Sequence, residues 1–312
     1  MRFGRTVGAA AVPVLRDIEH SAGDPFEACK RLAKTHYENF TVGSLLLPRA
    51  LRGHVYNIYA YCRVCDDLAD ETNDPDLSLG LLDWWRGELH GCFEGNPRHP
   101  VFVALADTVG AFDLPIQPFE DLISAFVQDR TVTRYRTFEQ LLDYCSRSAN
   151  PVGRLFLRVM GHADETRQTL SDATCTALQL ANFWQDIGPD YERGRIYIPV
   201  EDMDRFGYSE AELRNHVVNA GFVGLMRFEV ARTRELFERG AALAGMIDGA
   251  ADVDVGLFTT GGMAVLGSIE REGFRVFERR ITVSRSRKLL MLVGWCARRL
   301  AIHPLSWAGG SG

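Results

Sequence analysis

Residues 51–70 read Leu51-Arg-Gly-His-Val55-Tyr-Asn-Ile58-Tyr59-Ala-Tyr-Cys62-Arg63-Val-Cys65-Asp66-Asp67-Leu-Ala69-Asp70. Leu51, Val55, Ile58, Tyr59, Cys62, Cys65 and Ala69 recur near the 3.6-residue period, which predicts an amphipathic helix over 50–72. Pro48 sits just before it, where proline is tolerated. The same helix carries a charge pattern that packing does not require. Asp66 and Asp70 lie one turn apart on one face, Arg63 lies three residues before Asp66, and Tyr59 lies a turn earlier. Like charges four residues apart destabilise a bare helix, so their presence asks for another cause.

Outward from this stretch the helical period continues. Residues 77–93, 99–111 and 118–130 read as helices, with Pro75, Pro97 and Pro115 as punctuation. Residues 137–161 form a long helix with Pro151 inside it, so a kink is expected near Ala149. Residues 165–188 read as another, its regular part starting at Thr169 or Ser171 and its end loosened by Gly188-Pro189. Gly194 to Pro199 reads as extended, because proline biases its predecessor away from helix. Residues 209–218, 221–247, 252–280 and 284–302 are again helical. No alternating strand pattern and no fixed repeat occurs. The expected class is all-α, roughly ten helices around one core, in a single domain over 1–312 with 1–20 and 303–312 loosely ordered.

Composition is ordinary for a globular chain: 46% hydrophobic and 24% charged over 312 residues. The net charge of −6 argues against a nucleic-acid partner, which needs a basic patch. No apolar run of about 18 residues is present, so no transmembrane helix is expected. Seven scattered cysteines read as reduced thiols of a cytoplasmic protein. Cys62-x-x-Cys65 lies within a predicted helix and has no second CxxC, so it reads as two small helix residues rather than a redox or zinc site. Arg2, Arg5 and the Ala/Val patch suggest a targeting peptide, but Pro13 interrupts the patch, and a loose terminus is the reading preferred.

A second polar pattern lies more than a hundred residues on, in Gln179-Leu-Ala-Asn182-Phe-Trp-Gln185-Asp186-Ile-Gly-Pro-Asp190. Gln179, Asn182, Asp186 and Asp190 are spaced 3, 4 and 4, a single stripe among Leu178, Leu180, Ala181, Phe183, Trp184 and Ile187. Either acidic cluster alone could be a solvated helix face. Together, in long apolar helices, they read as the lining of a cavity. Mg²⁺ is held through one or two carboxylates plus phosphate oxygens and water, so two such helices facing each other would hold several ions and a diphosphate.

These two stretches, with Gly194-Arg-Ile-Tyr-Ile-Pro199 following the second, resemble the signature motifs of the squalene/phytoene synthase family. The resemblance runs from about His36 to Arg287. It implies an isoprenoid-synthase-type helical bundle around a central cavity, and Mg²⁺-dependent ionisation of a prenyl diphosphate. Carried over by position, Asp66, Asp70, Asp186 and Asp190 would bind metal. Arg63, Gln179 and Asn182 would hold the diphosphate or the metal shell. Tyr144 matches the family's catalytic tyrosine, placed either to orient the diphosphate or to stabilise the cation. Tyr59 and Tyr197 match tyrosines near the diphosphate, and Phe40 matches a cavity-lining aromatic. His36 reads equally as a diphosphate contact or a surface residue.

Two departures narrow the reading. After the tyrosine, relatives that make squalene or phytoene usually carry Val-Ala-Gly-x-Val-Gly, whereas this chain has Ser148-Ala-Asn150-Pro-Val-Gly153. The basic residue usual before the second-motif aspartate is Gln185. The stretch Tyr37 to Pro48 and the string Ala181 to Asp186 look most like the bacterial hydroxysqualene synthases of hopanoid biosynthesis, which convert presqualene diphosphate and water to hydroxysqualene. Capture by water needs a polar group in an otherwise dry site. Asn150, with Ser148, is the expected catalytic pair for that step, unless Asn150 merely shapes the kink before Pro151. The alternatives are a squalene, phytoene or presqualene diphosphate synthase that condenses two prenyl diphosphates, and a non-catalytic family relative acting in assembly. The retained aspartates count against the last. Leu289 to Leu300, behind Arg285, Arg287 and Lys288, would suit a peripheral contact with the inner face of the cell membrane or a helix packed on the core. Oligomeric state and NADPH dependence are not legible.

Overall fold

The computed structural model describes residues 12–20, 23–36, 47–72, 74–248, 251–278 and 281. Phe40, the 284–302 helix and the tail therefore lie outside the described residues, as does the side chain of His36. In chain order the helices are α1 (Pro13–His20), α2 (Pro25–His36), α3 (Arg49–Asp70), α4 (Pro75–Phe93), α5 (Pro100–Phe112), α6 (Gln117–Asp129), α7 (Phe138–Ser148) and α8 (Asn150–Val159). They continue with α9 (Glu165–Gln185), α10 (Ile187–Glu192), α11 (Val200–Arg205), α12 (Glu210–Arg214), α13 (Ala220–Gly240), a 3₁₀ turn at Ala241–Met246, and α14 (Ala251–Arg271). The all-α expectation holds: extended pairing among the described residues is limited to an isolated bridge between Arg134 and Ile196. That bridge lies in the segment read as extended, and Val200 and Glu201 donate back to the carbonyls of Tyr135 and Arg136. Helix α1 falls within the stretch expected to be loose.

Helix ends follow local chemistry. Pro75 opens α4 while the Asp74 carboxylate accepts from the backbone of Asp76 and Leu77. Pro100 opens α5, with the His99 ring accepting from Val101. Helix α9 begins earlier than Thr169 because Asp164 accepts from the backbone of Arg167 and caps it. Where one long helix is expected over 137–161, the chain makes two. Pro151 cannot donate to the Arg147 carbonyl, so the helix breaks at Ala149 and Pro151 falls in the first turn of α8. The same chemistry acts at Pro189, which cannot donate to the Gln185 carbonyl. Helix α9 stops there and α10 starts after Asp186.

The described residues divide into two compact units. One takes those within 1–41, 48–133 and 142–168, the other those within 42–47, 134–141 and 169–312. In the first, α3 is the central helix, in contact with α1, α2, α4, α5, α6 and α8. Its buried face centres on Tyr61, whose ring meets Trp85, Phe102 and Phe119. The Tyr61 hydroxyl donates to the Phe119 carbonyl at 2.8 Å, so the ring is buried without an orphaned polar atom. Asn57 on the same helix donates to Ala104 and Thr108 of α5. Ser78 of α4 donates to the Leu68 carbonyl.

In the second unit α13 and α14 pack together. Trp184 of α9 is buried and its indole donates to Thr233 of α13 at 2.8 Å. Gly262 of α14 lies against the buried Phe237 ring, inside the space a Cβ would occupy. Gly262→Val is therefore expected to cost about 2–3 kcal/mol through overpacking, because a buried ring cannot swing aside. Urea denaturation would read this as a lower midpoint at unchanged slope. A midpoint equal to the wild type would remove the packing argument.

Candidate active site

The first acidic cluster is built by the last turns of α3. Asp66 is 45% exposed and Asp70 is exposed, while Asp67 between them is buried. Arg63 bridges the two kinds of position. One guanidinium nitrogen lies 3.3 Å from Asp66, and the other donates to Asp67. Burial, the larger effect, pushes the Asp67 carboxyl up to about 7 against the pull of Arg63. Burial opposes the charge of Arg63, but its neighbours Asp67 and Asp66 outweigh it and raise its pKa. Tyr59 is half-buried one turn back, beside Ala33 and Tyr56. The sequence reading missed Asp67, although its position on the apolar side of a DDxxD helix was the available signal.

Cys62 and Cys65 lie on this helix as free thiols. Burial pushes Cys62 up to about 12 and Cys65 well above the ordinary range, so neither is a ready thiolate. Among the described residues, no three Asp, Glu, His or Cys side chains gather closely enough to cage a metal. Asp66 and Asp70 offer hard oxygen donors on an open face. That donor set fits a cation that takes one or two carboxylates and completes its shell with phosphate oxygens and water.

In the same unit the break at Ala149 brings a polar patch into the α7–α8 turn. Tyr144 is buried, and its hydroxyl donates to Asp129, the last residue of α6, at 2.5 Å. Arg147, one turn nearly complete beyond Tyr144, donates to Gln128 at 2.6 Å and to Ser124 at 3.1 Å, pinning α7 to α6. Asn150 is buried at the start of α8, which packs against α3 and α6. The Ser148 hydroxyl is shielded from solvent and has no hydrogen-bond partner. An orphaned buried hydroxyl costs about 1–3 kcal/mol. Asp129 was not legible in the sequence, since nothing in the period of α6 marks its last residue.

The second cluster belongs to the other unit. Asn182 is exposed, and Gln179, Asp186 and Asp190 are half-buried. The stripe survives the helix break: Asp186 donates to the Asn182 carbonyl at 3.0 Å and Asp190 to the Asp186 carbonyl at 2.8 Å. These bonds keep the three residues one turn apart on the backbone. Gln185 does not join them. It is buried, and its side-chain nitrogen donates to the Ile281 carbonyl. Tyr197 is buried in an aromatic stack, 3.8 Å from Phe183 and 5.8 Å from Tyr135 between ring centres. Asp190, Arg195, Tyr197 and Phe183 line a small cavity of about 10 Å³, room for one water. Arg134 holds this segment by donating to the Gly194 carbonyl at 2.7 Å while pairing with Glu210.

An all-helical chain with aspartates spaced a turn apart at the end of α3, and again across the α9–α10 break, is the form of an isoprenoid-synthase-type protein. The family model described as squalene/phytoene synthase matches residues 33–287, and the chain belongs to that family. It is 36% identical over 288 residues to 15-cis-phytoene synthase of Synechocystis sp., covering 88% of this chain and 86% of that one. Among solved structures it is similar to squalene synthase HpnC from Alicyclobacillus acidocaldarius, at 43% identity and a TM-score of 0.77, over 80% of this chain and 94% of that one. A dehydrosqualene synthase solved with ligand is 25% identical with a TM-score of 0.81, over 89% and 97% of the two chains. The fold and family expected from the motifs are thus shown. Among the described residues no helix is long and apolar enough to cross a membrane.

Proposed function

We propose that this chain is a Mg²⁺-dependent hydroxysqualene synthase, converting presqualene diphosphate and water to hydroxysqualene and diphosphate. In this reading residues 1–312 are a single prenyl-diphosphate-processing domain. Asp66, Asp70, Asp186 and Asp190 would hold the metal, and Arg63, Gln179 and Asn182 would bind the diphosphate around it. Bound there, Mg²⁺ neutralises the diphosphate and makes it a better leaving group. Tyr59, Tyr197 and Phe40 would shape the surroundings of the substrate. The protein works in the cytoplasm, with a peripheral membrane contact suited to an oily product.

The observation that carries the water-capture step is the Ser148–Asn150 turn. It places an unsatisfied hydroxyl and a buried amide where relatives making squalene or phytoene carry Val and Gly. A carbocation in a dry site is otherwise lost to hydride or to elimination, so a water must be held in place for capture. The similarity to a protein named squalene synthase HpnC supports prenyl-diphosphate chemistry. A second reading, condensation of two prenyl diphosphates, is favoured by the phytoene synthases among the relatives.

The test is to incubate the protein with Mg²⁺ and either presqualene or farnesyl diphosphate, with and without NADPH, and identify the lipid by mass spectrometry. Hydroxysqualene from presqualene diphosphate alone is expected. Phytoene, presqualene diphosphate, or squalene formed only with NADPH would replace this reading with the second. Asn150→Gly is expected to lower the hydroxysqualene share about ten-fold, the effect of one hydrogen bond to the attacking water. An unchanged product ratio would leave Asn150 as a kink residue only.

A further inference from the structure

Tyr144 carries two incompatible roles at the level of sequence, donor to the diphosphate or stabiliser of the cation. The side chain across from it decides between them. A phenol has one proton, and here it is directed at Asp129, 2.5 Å away. Hydrogen bonds from a hydroxyl to a carboxylate are short and about twice as strong as neutral ones. Both partners are buried, Tyr144 at 3% exposure and Asp129 at 8%, so water does not compete for either. Arg147 locks the register by gripping Gln128 and Ser124 on α6 and Asp143 on its own helix. With its proton engaged, the Tyr144 oxygen has only lone pairs to offer elsewhere. Those lone pairs, enriched in electron density by the bond to a carboxylate, repel a diphosphate and attract a carbocation.

We propose that Asp129 is the positioning residue of the site: it holds the Tyr144 hydroxyl proton and turns the phenol oxygen into a cation-stabilising group rather than a diphosphate donor. The inference rests on the reaction class proposed above, ionisation of a prenyl diphosphate, and not on which lipid is released. Asp129 acts through Tyr144 and needs no contact with substrate.

The experiment combines Asp129→Asn, Asp129→Glu, Tyr144→Phe and the double variant Asp129→Asn/Tyr144→Phe. Each is assayed with whichever prenyl diphosphate the wild type turns over, and each is titrated with inorganic diphosphate as inhibitor in saturating Mg²⁺. Tyr144→Phe is expected to lower kcat about a hundred-fold, within the range of one electrostatic stabiliser, and to leave the inhibition constant of diphosphate within two-fold of wild type. Asp129→Asn is expected to lower kcat about ten-fold with KM held, and Asp129→Glu to recover part of the loss. The double variant should be no worse than Tyr144→Phe, because the two act as one unit. An inhibition constant that rises as far as kcat falls in Tyr144→Phe would make the tyrosine a diphosphate donor and overturn the proposal, even if every Asp129 variant failed to fold. An Asp129→Asn loss that persists in full on the Phe background would also overturn it. Failure of the proposed reaction shows separately, as absent turnover by the unmutated protein.

Discussion

Asp66→Asn is expected to lower prenyl-diphosphate turnover at least about a thousand-fold while leaving thermal stability unchanged or slightly raised. A change of that size is about 4 kcal/mol of transition-state stabilisation, the scale of a lost metal ligand. The stability side of the prediction comes from position. Asp66 is nearly half exposed and Asp70 is exposed, so the amide leaves no buried charge unpaired. Removing one of two like charges a turn apart relieves about 0.2–0.5 kcal/mol of repulsion. Arg63 keeps Asp67 as its partner. Asp190→Asn should lower turnover alike in the other unit. The contrast is Asp67→Asn, where a buried member of the Arg63 pair is lost and stability should fall. Diphosphate release across a Mg²⁺ titration, with a melting curve for each variant, checks the set. An Asp66→Asn protein that keeps a tenth of wild-type activity at saturating Mg²⁺ would remove this face from the reaction.

Arg232→Met is expected to destabilise the second unit by about 3–5 kcal/mol at alkaline pH and by less in acid. Arg232 stands between two carboxylates, 2.7 Å from Asp202 and 2.5 Å from Glu229, with its guanidinium 3.5 Å over the Phe138 ring. Glu229 is fully buried. Burial, the largest effect, pushes its carboxyl up to about 8, with Arg232 pulling the other way. The sign follows from proton binding. The folded state keeps the Glu229 proton up to about pH 8, whereas the unfolded chain releases it near 4.5. Between those limits the folded state binds more protons, so stability falls as pH rises through this window. Without Arg232 the neutral carboxyl can still be accommodated in acid, but the ionised one cannot, so the cost of the substitution grows with pH. Asp254 shares the logic. It is buried, neither oxygen has a hydrogen-bond partner, and burial pushes it up to about 8. Asp254→Asn should therefore flatten the alkaline fall that Arg232→Met steepens. Urea unfolding at pH 5.5 and 8.5 separates the two. An Arg232→Met loss equal at both pH values would mean Glu229 does not change charge in the folded protein.

Helices were the legible part of this chain because their period is local. The apolar spacing from Leu51 to Ala69 and the breaks at Pro151 and Pro189 follow from backbone chemistry within a few residues, and the structure carries α3, the α7–α8 turn and the α9–α10 turn there. The end of α9 was read as loosened rather than broken, since the missing donor of Pro189 acts four residues upstream. The polar stripe was legible for the same reason, and its backbone phase runs through the break.

The amino-acid sequence by itself determined the all-helical class, the family and which carboxylates stand a turn apart, because periodicity and motif spacing are properties of neighbouring residues. Tertiary structure alone decided that Asp67 is the buried partner of Arg63, that Gln185 turns away to the Ile281 carbonyl, and that Tyr144 spends its proton on Asp129. Two of those pairings join separate segments of the chain, while Arg63 and Asp67 share one face of α3 and packing decides that this aspartate is the buried one. Burial then sets which oxygen is charged and which proton is free, and no spacing along the chain encodes that.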